Sequence, residues 1–239
     1  LATEGSMWTE RTASLLLMAE RREIFVVGFP RSGNSWLSRL LGDFLDSPVE
    51  SGQEMASNAD EGHDRPGPYV IRLNHPNQLY EPPTRERVMQ KFGGKLAVQI
   101  VRDPRDVFLS IREYYESNWE DALIKMRAWP ATIHACDGIR VRTHYEDLHA
   151  HTGSELLRIL VMLDLPYQRD GLDETVQRQS WDVRVENLSD DMPYSAAHQR
   201  RAFGHGKVGR WREQIPEDVL HEGLEIFNSM MRQLGYVNS

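Results

Sequence analysis

Ile24-Phe25-Val26-Val27-Gly28-Phe29-Pro30-Arg31-Ser32-Gly33-Asn34-Ser35-Trp36-Leu37 opens as an unbroken apolar run and passes through a Gly/Pro/Ser segment. It then enters helical spacing at Leu37, Leu40, Leu41, Phe44 and Leu45. The pattern predicts a buried strand, a tight loop and an amphipathic helix. In that order they make a phosphate cradle: loop amides and the helix N-terminus point one way, and the helix dipole favours an anion there. Gly28-x4-Gly33 has the spacing of the first part of a nucleotide P-loop. A kinase-type loop would continue Gly-Lys-Ser/Thr, but Asn34 stands where that lysine belongs. The cation has moved upstream, to Arg31.

Outward from this stretch, strand and helix signals alternate. Strands are expected at 23–28, Tyr69 to Leu73, 95–101 and 139–142. Helices are expected at 12–21, 35–46, 84–91, 103–117, 153–164, 170–179 and 217–234. Residues 47–68 hold Ser51-Gly52, Asp60-Glu61-Gly62 and Pro66-Gly67-Pro68 with little periodicity, and read as a mobile loop. The alternation implies an α/β fold with a mainly parallel sheet flanked by helices. Ligands on such sheets bind beyond the carboxyl ends of the strands, where the 24–36 loop lies.

The chain of 239 residues is long enough for one well-buried domain, taken as 7–239, with 1–6 read as an expression scar before Met7. Net charge is -8, which argues against a nucleic-acid partner, since that needs a broad basic face. A local anion pocket built from Arg31, Arg72, Arg102 and Arg105 remains compatible with that sum. Cys136 is the single cysteine, so no intrachain disulfide forms and a reducing, cytoplasmic compartment is expected. The longest apolar run near the start, Leu15 to Met18, is too short for a signal core or a membrane span. No His/Cys cluster has metal-ligand spacing, so no metal is expected.

Two further segments carry chemistry. Ile100-Val101-Arg102-Asp103-Pro104-Arg105-Asp106-Val107-Phe108-Leu109-Ser110 ends a strand in arginine, starts a helix at Pro104 and places a serine two turns in. Read without any relative, Arg102 could pair with Asp103 or Asp106 on the surface, and Asp103 could be a metal-binding carboxylate. Gly204-His205-Gly206-Lys207-Val208-Gly209-Arg210-Trp211-Arg212-Glu213 is glycine-rich and basic.

With the cation before Ser32-Gly33 and Trp36 after it, these three segments together resemble the P-loop sulfotransferases, which use 3'-phosphoadenosine 5'-phosphosulfate (PAPS). Two shorter matches, Tyr145-Glu146-Asp147-Leu148 and Ser180-Trp181, follow the family's order. The resemblance covers roughly 23–45, 95–116, 139–148 and 178–212. It implies transfer of a sulfuryl group from PAPS to a hydroxyl acceptor, a small molecule or glycan, by direct in-line displacement, with adenosine 3',5'-bisphosphate (PAP) as product.

The resemblance also implies roles. Ser32, Gly33, Asn34 and Ser35 would hold the 5'-phosphate, and Arg31 would stabilise the leaving oxygen. Arg102 and Ser110 would hold the 3'-phosphate; a guanidinium gives forked, charge-assisted bonds and a hydroxyl adds a donor. Trp36, Tyr145, Ser180 and Trp181 would surround the adenine. In the third segment Gly206, Gly209 and Trp211 match, but the family's Arg-Lys pair aligns with Gly204-His205. The 3'-phosphate cation then comes from Arg200, Arg201, Lys207 or Arg210, with Lys207 and Arg201 preferred. The family's Lys-Thr-His base segment corresponds to Arg72-Leu73-Asn74-His75-Pro76. Arg72 takes the lysine's place, and a one-residue slip makes His75 the general base, an imidazole being suited to neutral pH. Glu50, Glu54 or Asp60 is the alternative base. Two rival readings are a P-loop kinase or NTPase using ATP and magnesium, and a non-catalytic nucleotide-binding relative.

Overall fold

Every residue from Ile24 to Val27 is buried, and a strand covered on both faces belongs inside a parallel sheet. The computed structural model describes residues 21–51, 64–74, 83–167, 170–187 and 204–236. Its strands are β1 (Arg22–Val27), β2 (Val49–Ser51), β3 (Tyr69–Asn74), β4 (Leu96–Val101) and β5 (Val141–His144). They form a five-stranded sheet of order β2-β3-β1-β4-β5. Each neighbouring pair is parallel, with Val27 beside Asn74 on one side and Gln99 on the other.

The helices are α1 (Asn34–Phe44), α2 (Arg85–Phe92), α3 (Pro104–Tyr115), α4 (Trp119–Met126), α5 (Trp129–Ala135) and α6 (Tyr145–Ala150). They continue as α7 (Thr152–Met162), α8 (Leu172–Arg178), α9 (Trp181–Glu186), α10 (Trp211–Gln214), α11 (Glu217–Glu222) and α12 (Leu224–Leu234). Strand side chains alternate between faces. Ile24 and Val26 pack with Leu37, Leu40 and Leu41 of α1 and Ile159 of α7. Phe25 and Val27 pack with Val88 and Phe92 of α2 and with Cys136. A further cluster joins Phe108 of α3, Trp129 of α5 and Phe227 and Met230 of α12.

The observed elements correct several expectations. Within 47–68, Val49–Ser51 is a strand paired with β3, and Arg65 forms an ion pair with Asp43 at 3.3 Å. The strand expected at 139–142 runs instead from Val141 to His144. The helix expected over 217–234 is divided into α11 and α12 at Gly223, and α4 and α5 fill a stretch left without an element. The helix expected at 12–21 lies outside the described residues, apart from Arg21.

From β1 the chain moves to one side to build β2 and β3, then crosses to the other side for β4 and β5. The strand order therefore reverses between β1 and β4, and a crevice opens there at the carboxyl edge. The loop after β1 and the Arg102-Asp103 turn after β4 flank that crevice.

Candidate functional site

The loop between β1 and α1 is braced from inside. Asn34, buried at the first position of α1, donates its side-chain amide to the carbonyls of Gly28 at 3.2 Å and Phe29 at 3.1 Å. It therefore ties the loop's start to its end and supplies no charge where a kinase-type loop has lysine. Gly33 caps α1 with φ 100, a left-handed conformation that favours glycine. A Cβ there would stand 2.6 Å from the Tyr145 ring, so α1 approaches Tyr145 through the missing side chain. The Ser32 hydroxyl is buried without a hydrogen-bond partner among the described residues.

Arg31 also has a left-handed backbone, φ 71, uncommon for a residue with a side chain. Its Nε donates to Ser110 Oγ of α3 at 3.0 Å, and its guanidinium lies 4.7 Å from the centre of the Tyr114 ring. Burial holds this guanidinium down to about 10; nearby Arg102 also lowers it, while Tyr114, Tyr115 and Glu113 oppose the shift. It is cationic at neutral pH all the same. The first and second segments thus meet through Arg31 and Ser110.

Arg102 follows β4 directly. Its guanidinium lies 4.2 Å from the centre of the Tyr145 ring and donates to the carbonyl of Lys207 at 2.8 Å. The third segment is therefore in contact with the second. Asp106, only 2 % exposed, extends that contact. Its carboxylate accepts from the Gly209 N–H at 2.6 Å and the Trp211 N–H at 3.1 Å, and lies 3.8 Å from Arg102. Arg210 forks onto Glu113 at 3.0 and 2.6 Å, and Arg105 lies 3.7 Å from the centre of the Trp211 ring. Residues 207–211 are thus fastened along α3.

The aromatic residues cluster beside this junction. Trp36 meets Tyr145 edge-on at 5.5 Å and donates its indole N–H to the Gln179 carbonyl at 3.0 Å. Trp181, 38 % exposed at the start of α9, donates to the Gly204 carbonyl at 3.3 Å. A Cβ on Gly206 would come within 2.5 Å of the Trp181 ring, so the 204–206 turn lies against it. His149 of α6 bonds the Gly206 carbonyl at 2.8 Å.

The structure brings together Arg31, Ser32, Gly33, Asn34, Trp36, Arg102, Ser110 and Tyr145, with Trp181 and Gly206 alongside. Ser35 is partly buried in the first turn of α1, and Ser180 is the residue before α9. Lys207 contributes its carbonyl while its side chain is exposed, and Arg210 is engaged by Glu113. Arg72 lies on β3, where it pairs with Glu23 at 3.1 Å and with Glu50. His75, Arg200, Arg201, Glu54 and Asp60 lie outside the described residues. Sequence reasoning assigned no role to Glu113, Tyr114 or His149, and offered Asp106 only as a surface partner of Arg102, whereas the structure buries it beside that arginine. For Asp106 the available signal was its position one helical turn after Arg102.

Among the described residues, no group of three or more His, Cys, Asp and Glu side chains is arranged to hold a metal ion. Among them, too, no helix is long and apolar enough to cross a membrane.

No protein-family model matches the sequence, and neither does any curated protein. Solved structures do match in fold. Mouse sulfotransferase SULT7A1 complexed with PAP aligns with TM-score 0.68 at 20% identity, over 88% of this chain and 85% of that one. Retinol dehydratase in complex with androsterone and inactive cofactor PAP aligns with TM-score 0.57 at 14% identity, over 88% and 80%. Retinol dehydratase in a complex with retinol and PAP gives 0.55 at 13%, over 88% and 81%. The chain has the fold of these proteins.

Proposed function

We propose that this chain is a single-domain sulfotransferase that moves the sulfuryl group of PAPS to the hydroxyl of a small-molecule or glycan acceptor. The observation that carries the reading is the junction of Arg31, Ser110 and Arg102 beside the N-terminus of α1, with residues 207–211 fastened next to it. Two guanidinium groups, a helix N-terminus and hydroxyls around one crevice suit a ligand bearing two separated phosphate-type groups. The fold likeness to proteins crystallised with PAP supports the same ligand.

The residues fit such a nucleotide. The amides of Gly33, Asn34 and Ser35 and the Ser32 hydroxyl, unpartnered among the described residues, are assigned as donors to the 5'-phosphate, while the Ser32 N–H is engaged by the Phe29 carbonyl at 3.2 Å. Arg102 and Ser110 are assigned the 3'-phosphate; Ser110 accepts from Arg31 and keeps its own hydrogen to donate. Arg201, Gly206 and Lys207 are assigned to the segment closing over it. Trp36, Tyr145, Ser180 and Trp181 are assigned the base; stacking on an aromatic contributes roughly 1–3 kcal/mol. The acceptor oxygen forms its bond to sulfur as the bond from sulfur to the bridging phosphate oxygen breaks. The acceptor proton passes to His75. Arg31 answers the charge that develops on the leaving oxygen, rather than Arg72, whose charge is balanced by Glu23 and Glu50.

The test is turnover of PAPS with pooled phenol, steroid and sugar acceptors, followed by release of PAP. Wild-type protein is expected to transfer sulfuryl without added magnesium. Arg31→Ala is expected to lower turnover far more than it weakens PAP binding, since its interaction is strongest in the transition state. Tight PAP binding without transfer to any acceptor would instead favour the non-catalytic reading. A magnesium-dependent reaction with ATP would favour the kinase reading.

A further inference from the structure

The last helix, α12, ends in a left-handed Gly235 with φ 83. The Tyr236 N–H bonds back to the Met231 carbonyl at 2.9 Å and the Gly235 N–H to Arg232 at 3.4 Å. This Schellman-type cap turns the chain back on itself, and a residue with a Cβ adopts that backbone only under strain. The turn delivers the Tyr236 side chain to the carboxyl end of β5. There its ring meets His144 edge-on at 5.1 Å, while His144 Nε2 bonds the Leu234 carbonyl at 2.8 Å.

The Tyr236 hydroxyl donates to Glu146 Oε2 at 2.5 Å. The other oxygen of that carboxylate, Oε1, accepts from the Asp103 backbone N–H at 2.9 Å. That N–H belongs to the peptide bond joining Asp103 to Arg102. Its orientation therefore helps decide where the Arg102 guanidinium points. The Asp103 side chain is fixed independently, capping α3 through Arg105 N at 2.9 Å and accepting from the Arg105 guanidinium at 3.0 and 2.7 Å. Burial first, and the Glu146 carboxylate next, push the Tyr236 phenol up, so it stays protonated and remains a donor.

The geometry points to Glu146 and Tyr236 as positioning residues that set the Arg102-Asp103 peptide and, through it, the arginine assigned to the 3'-phosphate. The inference rests on that assignment, but adds a tether: the chain's last described turn is coupled to nucleotide recognition. Neither residue touches the nucleotide in this account. Tyr236 acts through Glu146, and Glu146 acts through the Asp103 amide.

Titration calorimetry with PAP and AMP separates positioning from plain stability, because AMP lacks the 3'-phosphate and does not depend on Arg102. The variants are Tyr236→Phe, which removes only the hydroxyl, and Glu146→Gln, with thermal melting run alongside. PAP affinity of Tyr236→Phe is expected to fall about fivefold or more, with AMP affinity within about twofold of wild type. Glu146→Gln should show the same selective loss. A melting temperature lowered with the PAP-to-AMP ratio intact in Tyr236→Phe would overturn the inference and leave the tyrosine a packing residue. Should Glu146→Gln fail to fold, Tyr236→Phe alone decides. Wild-type protein that does not prefer PAP over AMP would instead overturn the assignment of Arg102 itself, an outcome visible before any variant is made.

Discussion

Arg31 and Asp106 show how much of the site rests on single side chains. Arg31 was legible because it stands inside a local motif, but its bond to Ser110 was not, since the two residues are 79 positions apart. Asp106 stands in the second segment within reach of Arg102, yet its partners Gly209 and Trp211 lie across the fold. Asp106→Ala would leave two backbone N–H groups without their acceptor and Arg102 without its nearby carboxylate. The expected loss is about 2–5 kcal/mol in urea unfolding, the range for breaking a buried charged network. Asp106→Asn, which keeps an acceptor oxygen, should lose less; equal stability of all three proteins would show that 207–211 is not held by this carboxylate. At Gly33 the constraint is steric. Gly33→Ala combines φ 100 with a methyl group against Tyr145, so folding should weaken by about 1–3 kcal/mol.

At the scale of elements, the strand-loop-helix unit from β1 to α1 was readable because its apolar spacing, its glycines and its burial all agree. The short helices α4 and α5 were not. Pro130 interrupts the pattern, although Asn118 followed by Glu120 and Asp121 is an N-cap signal that was there to be read. Strand β2 has three residues and is a strand by virtue of pairing with β3, a fact no local pattern contains. The junction of β5 and α7 makes a pH prediction. Glu155 of α7 accepts from Arg158 and from the Thr143 hydroxyl at 2.6 Å, and the Arg158 bond foremost holds its carboxyl below the usual range. A carboxyl with a lowered folded pKa contributes stability above its ordinary value, about 4.3, and loses it as pH falls through the folded value. Urea stability measured from pH 7 to pH 3 should therefore drop less in Glu155→Gln than in wild type. Parallel curves would show that this carboxyl does not contribute.

Across the whole molecule, segments from four parts of the chain meet at one edge of the sheet. The order of the motifs along the sequence foreshadowed this meeting, but only the crossing from β3 to β4 explains it, by placing β1 and β4 side by side. What escaped sequence reading was the fastening between segments, through Asp106, Glu113, Glu146 and Tyr236, because hydrogen bonds between distant residues leave no periodic trace. Packing beneath the site makes its own prediction. Cys136 is buried against the sheet, and burial pushes its thiol up to about 12. The native protein should thus fail to react with a thiol reagent at pH 8, while the guanidinium-unfolded chain reacts at its single cysteine. Rapid reaction of the native protein would contradict the packing of this face.

In the proposed function, Arg102 and Ser110 read a 3'-phosphorylated nucleotide in the crevice between β1 and β4. The most direct measurement is calorimetric titration of wild-type protein and Arg102→Ala with PAP, AMP and magnesium-ADP. Wild type should bind PAP at least about tenfold more tightly than AMP, since a charged hydrogen bond contributes roughly 1.5–3 kcal/mol. Arg102→Ala should bring PAP down to the level of AMP. Equal affinity of wild type for PAP and AMP, or tighter binding of magnesium-ADP than of PAP, would contradict the account.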